Sequence, residues 1–449
     1  MSYPRTNPLG ALVALAVLTA TPMMSAAQET PWNAMKRGSD NIDVLGHLPL
    51  GPALNVSDMD IEQEMSRPYA YVSRMVYAGQ GVMGMDIVSI EDPSNLEILY
   101  EWRIDEQDLH LGRGGMDVKH FKVGGRYYVV QSTQFGQGGP DSDMGGVILD
   151  VTGLPDPSTV REVARIREPL MPGGFHNIFI YKHSDGRVLL FATVSGPFAQ
   201  VYDLGMLVRG ASAEEAFAGR VPNPNQDGGS GRGYHDFYVG YHPDTDQDRF
   251  YGGGGGGYYV YNVSDLTDPE LVVTLTGISG IRSGHTFTPG PNGRFVIAES
   301  EYEFAPLRIF DLQPALDGEA TNIRSPISGW TADYKNLTHN HEIRWPLVFV
   351  SGYLDGLQIF SLEDPKDPQT VGYYDTYIGP RATETNPVFN GAFGVDVRNS
   401  DGLIVVSDMS TGIWTFRMDG FQVWNGAQHG VPDVSSAQKW DEPVRRPIS

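Results

Sequence analysis

The 449-residue sequence contains no cysteine. That excludes disulfides, cysteine–zinc sites and cysteine nucleophiles, so stability must come from a packed core. It also excludes a lipid-modified cysteine. Positive charge is scarce: 32 Lys and Arg stand against 55 Asp and Glu, for a formal net charge of −23. Nucleic acid needs a basic face for its phosphates and is therefore not an expected partner. The acidic surplus reads as a solubilising surface with some attraction for cations. Apart from a short stretch near the N-terminus, no run of roughly 18 apolar residues exists, so no membrane span is expected. Long amphipathic patterns are few. Neither a G-x-S-x-G elbow nor an H-E-x-x-H helix occurs, so a conventional hydrolase assignment has no support.

The apolar stretch near the N-terminus runs from Leu9 to Ala20, with Arg5 as the charge before it and Ser25-Ala26-Ala27 after it. This is the pattern of a secretory signal peptide over residues 1–27, which predicts a secreted or periplasmic protein. A linker is expected over 28–40 and a tail over 421–449.

What the sequence has in quantity is turn formers, with 54 Gly and 31 Pro. Many short strands separated by turns are expected, and repeats are to be sought first. One strand recurs seven times: Ile87-Val88-Ser89-Ile90, Ile148-Leu149-Asp150-Val151, Val201-Tyr202-Asp203-Leu204, Val260-Tyr261-Asn262-Val263, Ile309-Phe310-Asp311-Leu312, Ile359-Phe360-Ser361-Leu362 and Thr415-Phe416-Arg417-Met418. The copies start 49 to 61 residues apart, the length of a four-stranded propeller blade with its loops. Asp-Pro turns follow several copies, at Asp92-Pro93, Asp268-Pro269 and Asp364-Pro365. They are turn chemistry rather than an active site. The fold class predicted is all-β, a seven-bladed β-propeller over 41–420. The segment 41–47 is expected to add the missing outer strand to the last blade, which would leave no unpaired edge. Three stretches break the rhythm and are read as loops or insertions: Leu50–Ser66, Gly205–Gly233 with a possible helix near Ala213–Ala218, and Gln313–Leu337.

A histidine returns where the innermost strand of successive blades begins: His176, His235, His285, and either His339 or His341. The last two alternate along a strand and should share a face. Aligning glycine pairs places Asp117 at the same position in blade two and a glycine in blade seven; blade one shows no equivalent. Imidazoles and a carboxylate converging on one axis suit a divalent transition metal, Zn, Cu, Fe or Mn. The alternative is that each imidazole bonds a neighbouring blade and has only a structural role. His183 and His242 recur in phase too, but in turns at the opposite face, where exposure is expected. Around the histidine mouth, Arg232 and Arg282 are candidates for binding a carboxylate or sulfate group. Glu301 and Tyr353 lie in loops at the same mouth. The glycine run Gly252–Gly257 lacks the lysine and following helix of a phosphate-binding loop and instead allows close backbone approach.

The segment Gly356-Leu357-Gln358-Ile359-Phe360-Ser361-Leu362 with its Asp-Pro turn, the His-Asn openings at His176 and His339, and the last-blade elements Phe389-Asn390-Gly391-Ala392, Val406-Ser407-Asp408 and Gly412-Ile413 together resemble the LVIVD-repeat proteins of the secreted choice-of-anchor B type. The resemblance covers nearly all the chain after residue 40. It implies a β-propeller outside the cytoplasm and lends no catalytic residues. The sequence departs from the family by lacking a C-terminal anchor and by carrying Val201-Tyr202-Asp203-Leu204-Gly205 in place of the usual repeat. The expected activity is a metal-dependent hydrolase, lyase or oxidase acting on a small molecule or glycan at the channel mouth. The competing expectation is a non-enzymatic propeller that binds protein or glycan through its loops.

Overall fold

Short runs such as Val188–Thr193 and Tyr69–Arg74 are buried along their whole length. Strands of this kind have apolar neighbours on both faces, which is what blades stacked around an axis provide. The computed structural model describes residues 35–77, 81–168, 173–225, 232–379, 389–430 and 440–441. It shows seven antiparallel sheets, each based on four strands, so the seven-bladed propeller stands. The expected signal peptide and most of the expected tail lie outside the described residues.

From the axis outward, blade one is Val56–Ile61, Tyr69–Arg74, Gly84–Ser89 and Glu97–Arg103. Blade two is Leu111–Val123, Arg126–Gln137, Met144–Asp150 and Arg161–Arg167, with Gly173–Gly174 added beside its second strand. Blade three is Ile178–Lys182, Val188–Thr193, Phe198–Asp203 and Phe217–Pro222. Blade four is Tyr234–His242, Gln247–Gly254, Gly257–Asn262 and Glu270–Thr276. Blade five is Phe287–Pro289, Phe295–Ala298, Leu307–Asp311 and Ser328–Trp330. Blade six is His341–Arg344, Leu347–Ser351, Leu357–Ser361 and Gln369–Tyr374.

Blade seven is Ala392–Val397, Ile404–Asp408 and Gly412–Met418, completed by the early strand Ile42–Leu48. Ile42 pairs with Met418 and Leu48 with Ile413, which closes the ring with hydrogen bonds rather than packing alone. The turns behave as turn chemistry requires: Asp92, Asp265 and Asp364 each accept a hydrogen bond from the backbone two residues on.

Three stretches differ from their reading as connections. Leu50–Ser66 holds the innermost strand of blade one. Gly205–Gly233 does contain a short helix, Ala213–Ala216, but it leads straight into the outer strand of blade three. Gln313–Leu337 contains the outer strand of blade five. These outer strands are half exposed, so they lack the apolar run that marks an inner strand.

Along the axis lies a cavity of about 30 Å³, lined by Asp58, Asp117, Lys119, Asp236, Asn340 and Glu342 among others. That is room for ordered water among the carboxylates. Lys119 donates to Asp117 across 2.8 Å and sits among the carboxylates as a built-in cation. Further along the axis Arg344, fully buried, bridges Glu342 and Asp396. His183 and His242 are buried, not exposed as expected. The former bonds the Val263 carbonyl and the latter the Tyr251 hydroxyl. His183 thereby reaches blade four, and His242 lies against Gly293 of blade five.

Candidate metal centre

Four of the seven innermost strands enter through a backbone irregularity: pairing slips between Val56 and Met59, Gly115 and Val118, Tyr234 and Asp236, and Ala392 and Gly394. A β-bulge of this kind re-aims side chains and breaks the two-residue alternation. Common hydrogen bonds fix the correspondence between blades. The backbone N–H groups of Asp117, Asn177, Asn340 and Gly394 donate to Ser132, Thr193, Ser351 and Ser407 on the second strand. Counting one residue back, the ring at the mouth reads Met116, His176, His339 and Phe393. His235 and His285 fill the same position in blades four and five.

Three expectations are corrected by this register. Asp117 stands one residue past the histidine position, with Met116 in its place. Its carboxylate accepts from the backbone of Val118 and Ile178 and from Lys119, so it faces the channel interior rather than the mouth. The glycine of blade seven is likewise displaced by Phe393. His341 does not share a face with His339. It occupies the position that Val118, Ile178, Phe237 and Phe287 fill in other blades, buried with neither ring nitrogen hydrogen-bonded. Burial, with a smaller effect of His285, pushes it down to about 3, so it is neutral.

The remaining imidazoles form one continuous run. Ring centroids lie 4.5 Å apart for His176 and His235, 4.1 Å for His235 and His285, and 5.0 Å for His285 and His339. Three of the four are anchored through Nδ1. His176 bonds the Gln134 side-chain oxygen at 2.7 Å, His285 the Glu299 carboxylate at 2.6 Å, and His339 the Phe393 carbonyl at 2.6 Å. Fixing Nδ1 sets ring orientation and leaves Nε2 as the potential ligand atom. His339 is the exception in kind, since a bond to the neighbouring blade's backbone is what a purely structural role requires.

Glu301 enters this run from the loop of blade five. Its Oε2 lies 3.8 Å from His235 Nε2 and 3.7 Å from His285 Nε2, and its Oε1 accepts from the Tyr353 hydroxyl at 2.5 Å. One donor atom each from His235, His285 and Glu301 lies within 4.8 Å of the other two. His176 Nε2 is 3.1 Å from His235 Nε2. Two ligands about 2.0–2.1 Å from a tetrahedral ion stand about 3.4 Å apart, so all three separations bracket what a small cation requires. His285 Nε2 and His235 Nδ1 are buried with no hydrogen-bond partner. Buried nitrogens without partners are costly, and a bound ion would relieve the first.

The electrostatics separate the members. Burial, reinforced by Arg232, holds His176 well below the usual imidazole range, and burial with the His285 charge does the same to His235. Burial would also depress His285, but Glu299 and Glu301 outweigh it and raise the group to about 9. A metal would have to displace that proton. Burial lowers Arg232 to about 10, with Glu301 opposing the shift. Arg232 thus stands beside the imidazoles, whereas Arg282 is exposed on the rim. Glycine permits the crowding: a Cβ on Gly253 would meet the His285 carbonyl at 1.9 Å. The sequence did not tie the anchors Glu299 and Gln134 to the site, because nothing in it links a carboxylate to a histidine fourteen residues earlier or a glutamine to one in the next blade.

No family model matches the chain, and no curated protein matches it. Among solved structures it is similar to Raptor from Chaetomium thermophilum, with a TM-score of 0.54 and 11% identity over 85% of this chain and 30% of that one. The chain therefore spans less than a third of that protein's length, and the likeness extends to the fold alone. The conclusion at this point is a seven-bladed β-propeller with a His–His–Glu group at one mouth that could hold a metal ion.

Proposed function

We propose that this is an exported LVIVD-type propeller whose mouth binds a divalent transition metal through His235, His285 and Glu301, with His176 adjoining. The observation that carries the reading is the approach of the His235 and His285 Nε2 atoms to one Glu301 oxygen at 3.8 and 3.7 Å, with His285 held through Nδ1 by Glu299. Zn, Cu, Fe and Mn all suit imidazole and carboxylate donors. Bound there, such an ion would supply Lewis acidity toward a substrate oxygen or water, as a hydrolase, lyase or oxidase needs.

The protein's own groups have assignable parts. Glu299 orients His285, Gln134 orients His176, and Tyr353 holds the Glu301 carboxylate in place. Arg232 adds a cation beside the imidazoles that interacts with the Glu301 charge. The cavity below is lined by carboxylates, with Lys119 already neutralising Asp117.

The test is elemental analysis of protein purified without a histidine tag, followed by titration with zinc, copper, iron and manganese. Near-stoichiometric metal, lost in His235→Ala and His285→Ala, is the expected result. Less than about a tenth of an equivalent, with no uptake on titration, sinks the reading and leaves the non-enzymatic binding propeller.

A further inference from the structure

Non-glycine residues with left-handed backbone are uncommon, and for bulky side chains they are outliers that cluster at functional sites. Among the described residues there are six, and two of them flank the proposed centre: Tyr353 at φ 46° and Phe304 at φ 63°. Tyr353 has a clear purpose in its bond to Glu301. Phe304 does not serve the core, because its side chain is 53% exposed. A strained turn here holds an aromatic ring out into solvent.

The ring is not alone. Tyr334, 57% exposed, packs against Phe304 with centroids 5.5 Å apart and planes inclined by 61°. The Phe304 N–H donates to the Tyr334 carbonyl at 3.1 Å, which ties the two loops together. Each loop is also part of the centre. Phe304 follows Glu301 by three residues. The Tyr334 turn is pinned by buried Asp355, which accepts from Asn336 and the Asp333 backbone, and it runs on to Thr338, which donates to Glu299 at 3.1 Å. The segments that present the two rings are therefore those that position both carboxylates around His285.

We infer that Phe304 and Tyr334 form a stacking subsite on the rim of the mouth for one ring of a neutral oligosaccharide, whose next unit would lie over His235, His285 and Glu301. This rests on the proposed centre for its direction but not for its binding energy. Two rings are too small an apolar patch for a protein partner, which requires about 800 Å² per side. A sugar ring matches the patch in size: its C–H face lies on the aromatic faces, and its hydroxyls reach the surrounding polar groups. Charge selects the neutral class. Glu301, Glu303 and Asp333 line these loops against Lys335 alone, which disfavours uronic acids.

The experiment is calorimetric titration of the full mature chain, with and without chelator treatment, using cellohexaose, chitohexaose, mannohexaose and hexagalacturonate. At least one neutral hexamer should bind, and more tightly than hexagalacturonate. Phe304→Gly should weaken it at least tenfold while leaving the melting temperature equal or higher, because glycine relieves the left-handed strain. Tyr334→Ala should weaken it comparably, and chelation should leave most of the affinity. Failure of every neutral hexamer to bind, preference for hexagalacturonate, or unchanged affinity in Phe304→Gly would each overturn the inference. Sugar binding by a protein that takes up no metal would sink only the metal reading. Metal uptake without sugar binding would sink only the subsite.

Discussion

Glu299 is the residue on which the metal reading can be most sharply tried. It touches His285 Nδ1 and the Thr338 hydroxyl and is buried, so its carboxylate serves to orient rather than to bind substrate. Glu299→Gln keeps the volume and one acceptor but removes the charge that favours the His285 tautomer. We expect metal affinity to fall roughly 10- to 100-fold, measured by competition with a chromogenic chelator, with the fold intact by circular dichroism. His242 gives an independent prediction far from the mouth. Burial, with a smaller effect of Arg249, pushes it down to about 3. Unfolded, it would protonate near 6.5, so below that pH the unfolded chain binds the extra proton and stability falls with acidification. The contribution is complete above 6.5 and is lost progressively toward 3, at up to about 1.4 kcal/mol per pH unit from this group. His242→Gln should flatten the slope of urea midpoint against pH between 6 and 4; an unchanged slope would assign the acid sensitivity elsewhere. At this scale the in-phase return pointed to His176, His235 and His285 and left His339 and His341 open; the structure brings His339 into the run. Sequence alone misplaced Asp117 because the slip between Gly115 and Val118 adds a residue that no alternation rule anticipates, and His341 because the His339 and Asn340 N–H groups both donate to Ser351 alone.

The strand Ile42–Leu48 is the element whose removal has the clearest outcome. It covers the outer edge of Gly412–Met418, and the Thr415 hydroxyl reaches both the Gly46 and Pro93 carbonyls. Deleting residues 41–48 would bare a long edge beside Trp414 and Phe416, and bare edges recruit other strands. The expected result is a lower melting temperature and concentration-dependent oligomers by size-exclusion chromatography with light scattering. A monodisperse, equally stable deletion variant would show that the closure is dispensable. Elements were legible in proportion to their burial. Third strands such as Gly257–Asn262 and Leu357–Ser361 announced themselves by a repeated apolar pattern. The outer strands Phe217–Pro222 and Ser328–Trp330 did not, since only Val221 and Trp330 in them are buried.

For the whole molecule, seven copies at blade-length spacing made the architecture readable before any coordinate, because the repeated unit had to pack identically around a common axis. The chemistry was less readable, because repetition predicts where a residue falls and not which loop carboxylate meets it. The targeting proposal is decided on the intact chain. Expressed in a Gram-negative host, the protein should be recovered from the periplasm beginning at Gln28, as read by N-terminal sequencing. A product in the cytoplasm that retains residues 1–27 would overturn that proposal.

The ring closure also bears on how the protein is made. Gly46 and Thr415, 369 residues apart, must meet before the last blade is complete. During synthesis the early strand emerges first and its partner near the end, so at 5–20 residues per second it waits tens of seconds without its neighbour. Blades one to six can form as local units, but the circle remains an open arc until then. Assembly is therefore gated by chain completion, and a ribosome stalled before residue 412 would release an arc with two reactive ends.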